Sequence, residues 1–389
     1  MAYSIPYRRL AGFYFFYFAY LGIFAPFFGL YLESIRLTPF DIGVLMSLPQ
    51  VTRIIAPHLW GWLADRDGRR MRVVRITGLA GTIAFLGVFA GTHCALLFAT
   101  LFAMTFFWSA ALPLMEATTL SHLGDETSRY GPVRVWGSVG FIVAVVGAGY
   151  LLDWLGISIV PLLVLAMMLG MLAYACVVPE APSTPHETQQ SIGHVLLRPE
   201  VLALIAGGAF MSAAHGPYYT FYSIHLVAEG YSKGATGWLW ALGVICEIGI
   251  FAWMPRLYQA FTLRQILIAS FALAVIRFLI IGWLAQSLAA LLFAQVLHAA
   301  TFGSFHAASI GYVHRIFRGN MQARGQAIYG SFAFGLGGAL GSFASGYVWE
   351  HSGPALTFTL GAGCAALGGL IFAYGSAARR SKAARALRP

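Results

Sequence analysis

Glu116 and Arg134 each stand alone among apolar and small neighbours, in two segments that flank the short polar connection from Ser121 to Arg129. If both segments cross a membrane, they form an antiparallel pair. At 1.5 Å per residue the two charges then lie at similar depth, about 5–10 Å inside one face. A lone charge at that depth is costly and faces a partner or a wet cavity. A carboxylate and a guanidinium at one level can hold each other as a structural pair, or hold a polar solute between them.

Further into the apolar segments lie Arg53, Glu247, Arg277 and His298. Each is about 15–21 Å along its segment at helical rise, near the middle of a hydrocarbon layer about 30 Å thick. His306 follows His298 by about two helical turns, so the two line nearly one face. His215 and His225 add to the polar count. A membrane histidine standing alone is most often a hydrogen-bonded structural residue. Several ionisable groups converging at one depth instead point to a solute or proton pathway, and histidine exchanges protons near neutral pH.

The segments that must carry these groups are strongly apolar. The chain has 389 residues, 59% hydrophobic and 10% charged, against about 25% charged in soluble domains. This composition predicts an all-α integral membrane protein. Twelve segments are long enough to span: 10–32, 39–62, 73–92, 94–121, 130–152, 157–178, 201–228, 234–256, 263–285, 287–315, 323–349 and 353–376. The formal charge of +10 would suit nucleic acid only on a basic soluble face. Here the basic residues sit between apolar segments. Nineteen fall on the side of the termini, two (Arg36 and Lys233) on the other, and Arg53, Arg134 and Arg277 lie within segments. The excess of Lys and Arg places both termini in the cytoplasm. Cys94, Cys176, Cys246 and Cys364 are isolated in apolar surroundings, so no metal and no disulfide is expected.

The polar stretch 179–200 divides the chain into an N-terminal half, 1–178, and a C-terminal half, 201–378, followed by a basic tail, 379–389. The halves repeat. Gly149-Tyr150-Leu151-Leu152-Asp153 matches Gly346-Tyr347-Val348-Trp349-Glu350 at an offset of 197, and Gly22, Gly43 and Arg53 fall opposite Gly216, Gly237 and Glu247 at 194. Such parallel repeats are related by an axis along the membrane normal, with substrate bound near the midplane. Arg53 and Glu247, as equivalents, would meet as a midplane ion pair.

Between the second and third segments stands Gly61-Trp62-Leu63-Ala64-Asp65-Arg66-Asp67-Gly68-Arg69-Arg70. It matches the G-x-x-x-D-[RK]-x-G-[RK]-[RK] loop of the major facilitator superfamily, which the chain therefore resembles. Within it the chain is similar to the phenylpropionate permease group. That resemblance rests on Phe24-Ala25-Pro26-Phe27 through Leu37-Thr38-Pro39, on Pro113-Leu114-Met115-Glu116-Ala117, on Tyr130 to Ser138 and on Leu297 to Phe302. More distantly it resembles lactose-permease-type sugar–proton symporters. The resemblance implies two six-helix halves, a bacterial inner membrane, no cofactor, a functional monomer and a small-molecule substrate moved with a proton. It also implies a gating role for Gly61, Asp65, Gly68, Arg69 and Arg70.

By the same resemblance Glu116 and Arg134 form the substrate pair, with Arg277 and His298 contributing from the second half. Phe141 stands where the sugar symporters carry a stacking tryptophan, which argues against a galactoside. Thr301 stands where they carry a proton-bearing glutamate, so the proton role passes to Glu247, His298 or His306. The expected function is proton-coupled uptake of an aromatic carboxylate such as 3-phenylpropionate, with an oligosaccharide or a nucleoside as the alternative. No metal motif, nucleotide-binding glycine loop or soluble catalytic domain supports an enzyme.

Overall fold

The computed structural model describes residues 5–181 and 192–386; most of the stretch that divides the halves lies outside these. Every regular element among the described residues is helical. In chain order they are α1 Tyr7–Ser34, α2 Pro39–Asp67, α3 Arg70–Phe85, α4 Cys94–Leu123, α5 Tyr130–Leu155, α6 Val160–Val177, α7 Pro199–Ala228, α8 Lys233–Ala260, α9 Leu263–Trp283 and α10 Leu288–Ile316. A last helical stretch is broken once, at Gly353 (φ 77°, ψ −177°), which separates α11, 322–352, from α12, 354–386. Ten helices are long and apolar enough to cross a membrane, the last of them being the stretch that Gly353 divides. The 29-residue α2 is not one of the ten, because it carries Asp41, Gln50, Arg53, His58 and three prolines. α2 also runs on to Asp67, so Asp65 lies in its last turn and Gly68 (φ 66°) caps it in the left-handed conformation that glycine adopts without strain.

Prolines interrupt the helices near the candidate residues. Pro113 lacks the N–H that would bond Ser109, and α4 has a turn between Trp108 and Ala111. Pro217 likewise cannot bond Ala213, and α7 breaks at His215. Each break leaves helix interior available to a functional side chain. In α10 the six residues Ala299–Ser304, directly after His298, wind as a π-helix, a form found mostly at functional sites.

Internal contacts divide the chain into two compact units, residues 1–185 with Thr220–Ala241, and residues 186–219 with 242–389. In the first, α1 is the central element, with Phe13, Tyr14, Phe27 and Phe28 fully buried. Its neighbour α5 approaches to backbone distance at Gly140, where a Cβ would collide with the carbonyl of Phe15. In the second unit α7 and α11 do the same at Gly337, where a Cβ would collide with the carbonyl of Ala209. Small residues permit such close approach between helices in lipid. Gly140 and Gly337 are related by the offset of 197, and Phe15 and Ala209 by 194. The repeat read from sequence therefore recurs as a repeat of contacts. A further parallel lies in two arginine contacts. Arg75 donates to the carbonyls of Ala175 and Val178 at the end of α6, and Arg264 donates to Ala373 O and Ser376 Oγ on α12. Arg75 complements the negative end of α6, whereas Arg264 meets α12 within its length.

Candidate functional site

Within the first unit Glu116, after the break in α4, lies beside Arg134 of α5, with Arg134 Nε 3.7 Å from Glu116 Oε1. The pair is part-exposed, 38% for the Glu116 side chain and 29% for Arg134, so it is not sealed in the core. The Arg134 guanidinium sits over the Phe18 ring at 4.0 Å and the Tyr14 ring at 5.6 Å. Tyr14 hydrogen-bonds Thr119 Oγ1 at 3.0 Å, and Tyr130 lies near both Glu116 and Tyr14. Arg53 of α2 lies within electrostatic reach of Glu116 and of Tyr17. Tyr17 stacks on Trp108 at 5.7 Å with planes 8° apart, and Tyr20 meets the same indole at 4.6 Å. The buried Trp108 Nε1 has no hydrogen-bond partner among the described residues. The unit thus presents a cation, a carboxylate and several ring faces together. An arginine stacked on a ring keeps its planar fork free at the edge, where it can meet a carboxylate through two parallel hydrogen bonds. Phe141 is half-buried, and its backbone packs against Gly22.

Within the second unit Arg277 of α9 is fully buried. Its Nε donates to Ala294 O at 3.1 Å, and its Nη1 donates to Thr301 Oγ1 and to His215 Nε2, both at 3.3 Å. His215 Nδ1 lies 2.9 Å from Met211 O. A carbonyl only accepts and a guanidinium only donates, so His215 carries its proton on Nδ1 and is neutral in this arrangement. The guanidinium also lies over the Tyr218 ring at 4.2 Å. His298 Nε2 is 2.6 Å from Glu247 Oε1, close enough for one proton to lie between them whichever atom owns it. His298 Nδ1 is buried without a hydrogen-bond partner among the described residues. Below it the rings of His298, Phe302 and His306 stack in sequence, at 5.4 Å and 6.3 Å, along the π-helical turn.

The structure therefore brings Glu116 to Arg134 in one unit, and Glu247 to His298 and Arg277 to His215 and Thr301 in the other. Two residues were not legible as site residues from sequence. Tyr218 OH donates to Gln295 Oε1 at 3.1 Å, and Gln295 is fully buried one turn before His298. Neither carries a charge to mark it, though the three-residue spacing from Gln295 to His298 was a usable sign.

At the helix ends, Arg70 Nη1 donates to Ser121 Oγ at 3.0 Å, tying the loop between α2 and α3 to α4. Glu180 accepts from the backbone N–H groups of Met71 and Arg72 at 3.0 and 2.8 Å, which satisfies the exposed start of α3. Asp153, at the end of α5, accepts from the N–H groups of Lys233 and Gly234 at 2.9 and 2.8 Å. It caps α8 in the same way, beside a bond from Trp238 Nε1 to Tyr150 OH. The sequence repeat flagged Asp153 but not what it holds.

Long apolar helices here carry charged groups and stacked rings among them, the pattern of a polytopic membrane protein, and residues 7–360 match the MFS_1 like family. The chain belongs to that family, within the major facilitator superfamily, and is a multi-pass membrane transporter of that type. It is 31% identical over 350 residues to the probable 3-phenylpropionic acid transporter of Escherichia coli K12, covering 89% of this chain and 92% of the relative. It is 26% identical over 376 residues to the maltose permease of Geobacillus stearothermophilus, covering 92% of each. Among solved structures, a mutant of the nucleoside transporter NupG superposes with a TM-score of 0.83 at 16% identity, over 95% of this chain and 99% of that one. At that identity the likeness speaks for the fold.

Proposed function

We propose that this chain is a proton-coupled symporter that imports an aromatic carboxylate such as 3-phenylpropionate across a bacterial inner membrane, with both termini cytoplasmic. Its halves are 1–178 and 201–378, joined by the linker 179–200 and followed by the tail 379–389, and its helices cross twelve times. The observation that carries the substrate reading is Arg134, held by Glu116 and stacked on Phe18 at 4.0 Å. A bidentate cation and ring faces in one place fit the two chemical parts of a phenylalkanoate. Phe141, on the same helix as Arg134, and Arg277 and His298 are the further residues assigned to substrate binding.

The proton resides on Glu247, bonded to His298, with His306 as a relay along the stacked rings. The internal repeat supports pairing Arg53 with Glu247 during the cycle. The Gly61–Arg70 loop, with Asp65, Gly68 and Arg69, sets the rate of conformational exchange. The protein works as a monomer. A nucleoside is the second reading. Ring stacking serves a nucleobase equally well, and the xanthosine permease of Escherichia coli K12 is 22% identical over 344 residues. Calorimetric titration of the purified protein separates the two. Binding of 3-phenylpropionate, and none of 3-phenylpropanol, supports the arginine–carboxylate reading. Binding of xanthosine or maltose, with none of the acid, overturns it.

A further inference from the structure

At one end of the second unit a cavity of about 370 Å³ is lined by Arg198, Glu200, Arg315, Ile316 and Arg318. None of these residues belongs to the substrate or proton sites. Arg198 immediately precedes α7, Arg315 and Ile316 close α10, and Arg318 begins the connection to α11. Three arginines thus converge from two places distant in the chain. All three are exposed. Arg318 Nε donates to Arg315 O at 3.4 Å, which folds the turn and holds these two arginines together. The guanidinium groups of Arg198 and Arg315 make no hydrogen bond or ion pair among the described residues. Glu200 is buried, 8% exposed, and offsets one of the three positive charges. The lining keeps a net charge of two, next to the positive end of the α7 dipole.

Unengaged guanidinium forks around a concave site match the geometry of phosphate oxygens. The cavity falls within the range of small-ligand pockets, about 300–1,000 Å³, and exceeds what a bare phosphate fills. Beside it, Leu197 and Leu202 flank Arg198 and are 76% and 50% exposed. An apolar strip bordering a basic cavity suits a molecule with an anionic head and a hydrocarbon body.

We propose that this cavity binds a phosphate-bearing anion, with the phosphoglycerol headgroup of an anionic phospholipid and a soluble phosphate as the two sources. The test uses the whole 389-residue chain in detergent and native mass spectrometry of bound lipid. The probes are phosphatidylglycerol, phosphatidylcholine of the same acyl chains, glycerol phosphate and inorganic phosphate. The variants are Arg315→Gln/Arg318→Gln and Arg198→Gln, with Arg256→Gln as a control that removes one charge elsewhere. Phosphatidylglycerol should bind at least about tenfold more tightly than phosphatidylcholine. That preference should fall about tenfold in the double variant and persist in the control. If glycerol phosphate or inorganic phosphate binds the wild type, and not the double variant, as tightly as the lipid, the anion site stands and its source is soluble. If the double variant misfolds, Arg315→Lys/Arg318→Lys keeps the charge and loses the fork, and should bind more weakly than wild type. Equal binding of both lipids, or equal loss in the Arg256→Gln control, overturns the proposal.

Discussion

Arg134 is held on one side by a carboxylate and on another by a ring, and each contact makes a separate demand on its shape. Lysine keeps the charge but neither stacks flat on Phe18 nor offers two parallel donors. Charged hydrogen bonds contribute about 1.5–3 kcal/mol each. Arg134→Lys should therefore weaken carboxylate binding about ten- to a hundredfold by calorimetry, while the protein still folds; unchanged affinity would remove the bidentate contact from the account. Glu247 makes a different demand, because in the proposed cycle its carboxyl group takes up and releases the proton, which an amide of the same shape cannot do. In Glu247→Gln, exchange of labelled substrate across vesicles at equal pH should survive, and accumulation driven by a proton gradient should be lost. Accumulation that persists would remove Glu247 as the proton carrier, and persistence with His298 and His306 also replaced would move the proton site to Glu116.

At the scale of elements, the functional residues sit where helices are interrupted or end. Glu116 follows the break forced by Pro113, His215 lies at the break before Pro217, and His298 precedes the π-helical turn. The prolines were readable in sequence as breaks. The π-helix was not, because no residue type demands it. Helix ends carry the second group of predictions. Asp65→Ala should lower the transport rate while leaving binding affinity within about threefold, since the residue lies in the last turn of α2 and outside the substrate site; an equal loss in both would place it in binding. Asp153→Ala removes a charged cap from two N–H groups of α8. Caps of this kind contribute about 0.5–2 kcal/mol, so the melting temperature should fall by a few degrees, and Asp153→Asn should recover part of the loss. An unchanged melting temperature in both variants would show that the cap adds nothing to stability.

For the whole molecule, the sequence showed most about what lipid enforces. A hydrocarbon layer leaves helices long and apolar and concentrates charge in loops, so helix existence, the repeat and the family loop were legible from composition and spacing. Gly140 and Gly337 show the repeat reaching as far as individual helix contacts. The partners of buried polar groups were less legible. Arg277 engages His215, Thr301 and the face of Tyr218, and only Thr301 stood at a position the family pattern drew attention to. Hydrogen bonds between helices depend on rotation about each helix axis, which periodicity in a uniformly apolar helix does not set. The sequence also placed Glu180 in a linker, whereas its carboxylate caps α3, an outcome of chain path rather than local pattern.

The proposed function requires that the chain accumulate an aromatic carboxylate at the expense of a proton gradient. Its direct measurement is uptake of labelled 3-phenylpropionate by proteoliposomes with an acidic exterior, set against liposomes without protein, because the neutral acid crosses bilayers unaided. The expected result is faster uptake than in empty liposomes, abolished in Arg134→Gln, competed by unlabelled acid, and collapsed by a protonophore. Uptake equal to that of empty liposomes, alongside gradient-driven uptake of xanthosine or maltose by the same vesicles, would contradict it.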